Sequence, residues 1–150
     1  MHRGYNKERF IEKVDMIRKI IPDVSLTSDI IVGFPGETEK DFQDTLEVVE
    51  YSKFDLVYMF KFSPRPGTLA YDMKDEFISN DVINDRFLRL KDLQTDISEK
   101  RYKRFLNTEQ KLLIEKTSKK NSEIFTGRID GGQLTPVSYT HLTLPTSHLV

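Results

Sequence analysis

Apolar residues Phe10, Val14, Ile17 and Ile21 recur at spacings of four, three and four, which is one face of an α-helix. Asn6 stands where an N-cap side chain accepts from the first free N–H groups, and Pro22 ends the pattern. The run from Ser25 to Val32 is rich in β-branched residues and breaks at Gly33-Phe34-Pro35-Gly36, so a strand entering a tight loop is predicted. Thr38 is the predicted cap of a second helix, with Glu39 and Asp41 in its first turn, where the positive helix end favours acids. Its apolar face is Phe42, Leu46 and Val49. A second strand, Leu56 to Phe60 with Lys61, runs into the loop Ser63-Pro64-Arg65-Pro66-Gly67-Thr68.

Helix, strand, helix, strand with short connections implies right-handed crossovers and parallel strands covered by helices, hence the α/β class. Two strands cannot close a barrel, so the sheet is either open or completed by strands outside this chain. A long helix from about Ser79 to Leu106 follows, with Ile83, Phe87, Leu90, Leu93 and Ile97 as its buried stripe. Asp85–Arg89, Asp96–Lys100 and Glu99–Lys103 place acid before base at four-residue spacing, each pair worth roughly a few tenths of a kcal/mol. After Asn107 the pattern changes to a strand from Gln110 to Glu115, a polar turn, and a strand from Ile124 to Ile129. With Asp130-Gly131-Gly132 as its next turn, this is the opening of a small β-domain.

Composition narrows the chemistry. A chain of 150 residues suits one medium domain, or one with a small appendix. Its 23 Lys+Arg against 24 Asp+Glu argue against an overall basic nucleic-acid binder, while a local basic stripe stays open. The absence of cysteine excludes disulfides, a cysteine nucleophile, and thiolate ligation of a metal or iron–sulfur cluster within this chain. No apolar run reaches membrane-spanning length and MHRGYNKERF lacks a signal-peptide core, so a soluble, cytoplasmic protein without a membrane partner is expected. His2, His141 and His148 are scattered near the termini and form no metal or triad constellation.

Residues 131–150 contain no Asp, Glu, Lys or Arg in an otherwise richly charged chain. Within them, VSYTHLTLPT (137–146) resembles a translated sequencing-library adapter. Residues 136–150 are therefore expected to be foreign to the natural protein, the alternative being an uncharged strand and tail.

Four features carry candidate chemistry. Asp29 lies mid-strand, sharing by alternation one side with Thr27, Ile31 and Gly33. Near the carboxyl end of a parallel strand it can accept hydrogen bonds from ligand hydroxyls, or it can cap a neighbouring loop. The loop from Gly33 to Thr38 permits close backbone approach and leads to free N–H groups at a helix start, but it has no Lys-Ser/Thr pair and only two glycines, so it is neither a phosphate loop nor a dinucleotide fingerprint. By spacing alone, a structural turn and helix cap accounts for it better than a ligand site. Arg65, stiffened by flanking prolines, can bind a carboxylate or phosphate by a fork or remain a solvated loop charge, and Arg3 stands near the same rim. Lys100, Arg101, Lys103 and Arg104, followed by Lys111, Lys116, Lys119 and Lys120, form either an RNA-facing stripe or the cations expected at a helix C-terminus.

Taken in order, Met1-His2-Arg3-Gly4-Tyr5, Ser28 to Thr38 (SDIIVGFPGET) and Phe60 to Ala70 (FKFSPRPGTLA) resemble the methylthiotransferase branch of the radical S-adenosylmethionine enzymes. Gly127-Arg128 resembles the start of the RNA-binding TRAM β-barrel that follows in that branch. Thr45-Leu46 and the loop around Arg65 are most similar to the MiaB-type tRNA enzymes, which add a methylthio group to an isopentenylated adenosine beside the anticodon. Sister enzymes acting on threonylcarbamoyl-adenosine or on a ribosomal protein are the alternative, as is a non-catalytic RNA-binding module.

The resemblance implies that residues 1–106 are the C-terminal strands of a partial (β/α) barrel with a linking helix, and that 107–135 are a truncated TRAM-like β-domain. It implies that Asp29 hydrogen-bonds the ribose of S-adenosylmethionine, that Arg3 pairs with its carboxylate, and that Ile31, Gly33 and Phe34 border its adenine. Arg65 would face the substrate or cofactor, the stripe of Lys100, Arg101, Lys103 and Arg104 is the candidate contact to an RNA substrate, and no residue here is assigned a catalytic role. The parent enzyme would be a monomer carrying two 4Fe-4S clusters, with tRNA, a sulfur donor and an electron donor as partners. Its reaction would pass through a 5′-deoxyadenosyl radical, hydrogen abstraction from the adenine ring, sulfur insertion and methyl transfer. The chain departs from the family in having no cluster cysteines, in starting at a methionine that is interior to the family motif, and in carrying Ile129 where threonine is usual. It is expected to be inactive alone.

Overall fold

A computed structural model describes Gly4, residues 6–119 and residues 121–138. The chain divides between Leu106 and Asn107 into two compact units.

The first unit follows the predicted alternation: α1 (Lys7–Ile20), β1 (Thr27–Val32), α2 (Glu39–Ser52), β2 (Leu56–Lys61), a short helix α3 (Leu69–Asp72) with a 3-10 turn at Lys74–Glu76, and α4 (Asn80–Tyr102) with a 3-10 turn at Lys103–Phe105. The helix starts are set by the residues expected. Asn6 accepts from the Arg9 N–H, and Thr38 forms a reciprocal capping box with Asp41. The strands pair in parallel, with Thr27 opposite Leu56, Asp29 opposite Tyr58 and Ile31 opposite Phe60.

Among the described residues only one face of this sheet is covered. Val32 and Val57 join Phe42 and Val49 of α2, Phe54, and Leu90 and Ile97 of α4 in the core. Fully burying side chains such as Phe42 and Leu90 is worth about 1.5–3 kcal/mol each. The opposite face, with Asp29, Ile31, Leu56, Tyr58 and Phe60, is exposed. The α/β class expected from the pattern is the one observed.

Boundaries differ where a side chain competes with the backbone ladder. β1 begins at Thr27 rather than Ser25, because the Leu26 N–H donates to the Asp55 side chain at 3.0 Å. The long helix gives way at Lys103 to a 3-10 turn, and Asn107 takes a left-handed φ of 59°.

The second unit is an antiparallel sheet in the order β3 (Leu112–Thr117), β4 (Ile124–Ile129), β5 (Leu134–Ser138). The register of β3 against β4 shifts between Ile114 and Lys116. Gly127 is required here: a Cβ on it would lie 2.3 Å from the Leu113 carbonyl oxygen. Pro136, Val137 and Ser138, the first residues of the stretch expected to be foreign, pair with Thr126, Phe125 and Ile124. Residues 139–150 lie outside the described residues.

Candidate functional site

The exposed sheet face is built by alternation. Ser28, Ile30 and Val32 turn to the helices, which leaves Thr27, Asp29 and Ile31 outward. Parallel register then sets Tyr58 beside Asp29 and Phe60 beside Ile31. Among the described residues the Asp29 carboxylate has no hydrogen-bond or ion-pair partner. Because the described helices cover one face only, Asp29 is exposed and its lone pairs are open to a ligand. A carboxylate flanked by Ile31, Tyr58 and Phe60 can accept from hydroxyls while a flat apolar group lies along the side chains.

The loop after β1 closes on the helix side. Gly33 has φ +78° and is buried, and a Cβ there would lie 2.5 Å from Ile83 Cγ1. Gly33 thus leaves the alternation that places Thr27, Asp29 and Ile31 on one side, since β1 ends at Val32. The close approach its lack of a side chain permits is to α4.

The N–H groups of this loop are used internally. Gly33 N–H donates to Glu37 Oε2 at 3.0 Å, Glu37 N–H to the Phe34 carbonyl at 2.9 Å and Gly36 N–H to the Glu76 carbonyl at 3.0 Å. The N–H groups of Thr38 and Asp41 are consumed by the capping box. The bound Thr38 groups hold the Asp41 carboxyl below the usual range. Phe34 is half-buried and meets Phe62 edge-on with ring centroids 5.5 Å apart, and Phe62 meets Phe77 at 5.9 Å.

Glu37 and Arg86 are the residues that sequence reasoning missed. Arg86 Nη1 donates to Glu37 Oε2 at 2.7 Å and to the Glu37 carbonyl at 3.0 Å, while Nε donates to Glu39 Oε2 at 3.3 Å. The Arg86 side chain is 5% exposed and that of Glu37 12%. Glu39 also accepts from Arg89 at 2.7 Å; Arg89 first and Gln43 second bring its carboxyl down to about 2. The signal for Arg86 was its position three after Ile83 and four before Leu90, on the stripe itself.

The basic cluster is not one face. Arg101 donates to both Asp55 oxygens, at 3.4 and 3.2 Å, and to the Val24 carbonyl at 3.2 Å. Arg104 lies 2.7 Å from Asp55 Oδ1 and donates to Ser25 Oγ at 2.9 Å. Both turn inward to a carboxylate that is 1% exposed, and so hold the α4 end to the start of β2. Lys100 pairs with Asp96 at 2.5 Å, and this hydrogen bond raises its pKa. Lys103 is exposed. Lys120 lies outside the described residues, as does Arg3.

Arg65 is exposed on the loop after β2, where its carbonyl accepts from the Thr68 hydroxyl at 2.8 Å. A cleft of about 280 Å³, lined by Lys7, Phe10, Ser28, Ile30, Asp44 and Thr45 among others, lies on the opposite, helix-packed side of β1 and does not include Asp29. Among the described residues no group of three or more His, Cys, Asp or Glu is arranged to hold a metal ion, and no helix is long and apolar enough to cross a membrane.

No family model matches the chain. It is 46% identical over 128 residues to the tRNA-2-methylthio-N(6)-dimethylallyladenosine synthase of Finegoldia magna, which covers 85% of this chain and 28% of that protein. The protein of the same name from Acetivibrio thermocellus is 46% identical over 134 residues, 89% of this chain and 28% of its own length. That of Fusobacterium nucleatum is 47% identical over 128 residues, 85% of this chain and 29% of its own length. The chain thus spans 28–29% of the length of these curated relatives.

Proposed function

Because the chain belongs to the family of the tRNA-2-methylthio-N(6)-dimethylallyladenosine synthases, 28% of whose length it spans in the first relative above, we propose that it is the cofactor-orienting segment of such a transferase. The observation that carries this is Asp29, an unpaired carboxylate on the open face of a parallel strand pair, walled by Ile31, Tyr58 and Phe60.

That donor set fits S-adenosylmethionine, which has two ribose hydroxyls to donate and a flat adenine to lie against apolar side chains. Asp29 accepts from the hydroxyls, Ile31 and Phe34 border the base, and Gly33 sets the turn between them. Arg3 pairs with the carboxylate of the bound molecule by its fork. When bound, S-adenosylmethionine supplies the methyl group and the one-electron chemistry of the reaction. The residues present do not fit iron–sulfur clusters, since the chain has no cysteine, and their ligands belong to other parts of the longer protein. This chain alone therefore orients the cofactor without turnover.

The substrate of the whole enzyme is an isopentenylated adenosine of tRNA. Arg65 faces it from the loop after β2, and Lys100 and Lys103 remain for phosphate contacts, while Arg101 and Arg104 act in the fold. The second unit is the beginning of an RNA-binding TRAM domain. The setting is the cytoplasm, with tRNA, a sulfur donor and an electron donor as partners of a monomeric enzyme.

The test uses the full-length protein carrying this segment, with clusters reconstituted. Asp29→Asn is expected to weaken S-adenosylmethionine binding by about tenfold or more, the value of a hydrogen bond to a charged group. Tandem mass spectrometry of tRNA nucleosides should find the methylthio adduct with the wild-type protein and less of it with the variant when S-adenosylmethionine is limiting. Unchanged affinity in the Asp29 variant would refute the assignment.

A further inference from the structure

The loop that borders the open face is not held in shape by its own strand. A single carboxylate oxygen, Glu37 Oε2, takes both the Gly33 N–H at 3.0 Å and the Arg86 guanidinium at 2.7 Å. Ile83, one helical turn before Arg86 on α4, fills the space beside Gly33 that a side chain would occupy. Helix α4 therefore grips the first residue of the loop twice, once by packing and once through a carboxylate. Gly33 stands between the end of β1 at Val32 and Phe34, so the path of its backbone sets where Phe34 lies relative to Ile31 on the sheet face.

We propose that Arg86 is a positioning residue for S-adenosylmethionine: it fixes the Glu37 carboxylate that fixes the Gly33 N–H, and thereby the loop against which the adenine lies. The inference rests on the functional reading above. Arg86 touches no ligand and acts only through Glu37. Without the guanidinium, a Glu37 carboxylate that is 12% exposed loses its charge partner and swings toward solvent. That removes the acceptor for Gly33. Lysine at this position keeps the charge but lacks the planar fork that reaches the Glu37 side chain, its carbonyl and Glu39 together.

The experiment measures the dissociation constant of S-adenosylmethionine by equilibrium dialysis, and separately that of an anticodon stem-loop RNA, on the full-length protein carrying this segment. Arg86→Lys and Arg86→Gln are each expected to weaken S-adenosylmethionine binding about tenfold with RNA binding unchanged, raising KM for S-adenosylmethionine more than they lower kcat. Arg89→Gln, on the same helix as Arg86, breaks ion pairs with Glu39 of α2 and with Asp85; it reports the effect of lost stability alone and should leave both constants unchanged. Should Arg86→Gln not fold, Arg86→Lys and Glu37→Gln carry the test, the latter weakening the same constant. Binding within twofold of wild type in folded Arg86→Lys and Glu37→Gln proteins would overturn the proposal. Failure of the wild-type protein to bind S-adenosylmethionine would instead refute the functional reading on which it stands.

Discussion

The Arg104 guanidinium lies 2.7 Å from the carboxylate of Asp55, a side chain that is 1% exposed. Asp55 is also bonded to Arg101 and to the Leu26 N–H, and its carbonyl accepts from Ser98 and Tyr102. One residue at the start of β2 thus ties down β1 and the end of α4. Asp55→Ala removes the acceptor from two half-buried guanidiniums and from a backbone donor, and is expected to destabilise the chain by about 3–5 kcal/mol. Urea denaturation of the 150-residue chain followed by far-ultraviolet circular dichroism measures it. A loss below about 1 kcal/mol would mean that the network is dispensable.

Gly33 and Gly67 share a left-handed backbone, with φ +78° and +81°, but differ in surroundings. A Cβ at Gly67 meets nothing within 4 Å, whereas one at Gly33 meets Ile83 at 2.5 Å. Gly67→Ala therefore reports backbone strain alone, about 1–3 kcal/mol. Gly33→Ala should add about 1–3 kcal/mol of overpacking to that. Combining Gly33→Ala with Ile83→Ala should give a double variant less destabilised than the sum of the two, which a double-mutant cycle of urea midpoints checks.

Glu39 links α2 to α4 through Arg89 and Arg86, and the hydrogen bond from Arg89 brings its carboxyl down to about 2 from an ordinary value of 4.5. Because the folded value lies below the unfolded one, the contribution is present above about pH 4.5 and is lost as pH falls toward 2. The stability difference between wild type and Glu39→Gln should therefore shrink across that window and stay constant above it. The carboxylate is 54% exposed, so the effect is small and falls further with added salt. A gap that persists unchanged at pH 2.5 would contradict it.

Much of this organisation was legible locally. Asn6, Thr38 and Ser79 cap the helices whose apolar spacing announced them, and the stripe of α4 correctly contains Ile83, Leu90 and Ile97. What was not legible are the polar residues that share that stripe. Arg86 and Gln94 are buried because their partners, Glu37 and Phe54, lie 49 and 40 residues earlier in the chain. Periodicity reports which face is covered, not what satisfies a charge on it. The same limit explains the basic cluster: residue type marked Arg101 and Arg104 as candidate phosphate contacts, and only the buried Asp55 reveals them as internal. Asp29 was legible as a residue, while its solvation depended on which sheet face the helices left open.

That open face leads to the last prediction. Ile31, Leu56, Tyr58 and Phe60 are 38%, 39%, 51% and 52% exposed and adjacent on two paired strands, so they form a contiguous apolar patch. Scattered exposed apolar residues are ordinary, but a contiguous patch on a sheet binds apolar probes and other chains. The 150-residue chain should bind an anilinonaphthalene dye and self-associate as its concentration rises. The double variant Tyr58→Ser/Phe60→Ser should cut dye fluorescence at least about twofold and shift sedimentation toward the monomer. Because these side chains are half in water already, its unfolding free energy should change by less than about 1 kcal/mol. Met16→Ser, on α1 near the exposed Ile20, removes an apolar side chain outside this sheet face and should leave the dye signal unchanged. Dye binding that survives the double variant and falls with Met16→Ser would relocate the apolar surface to α1.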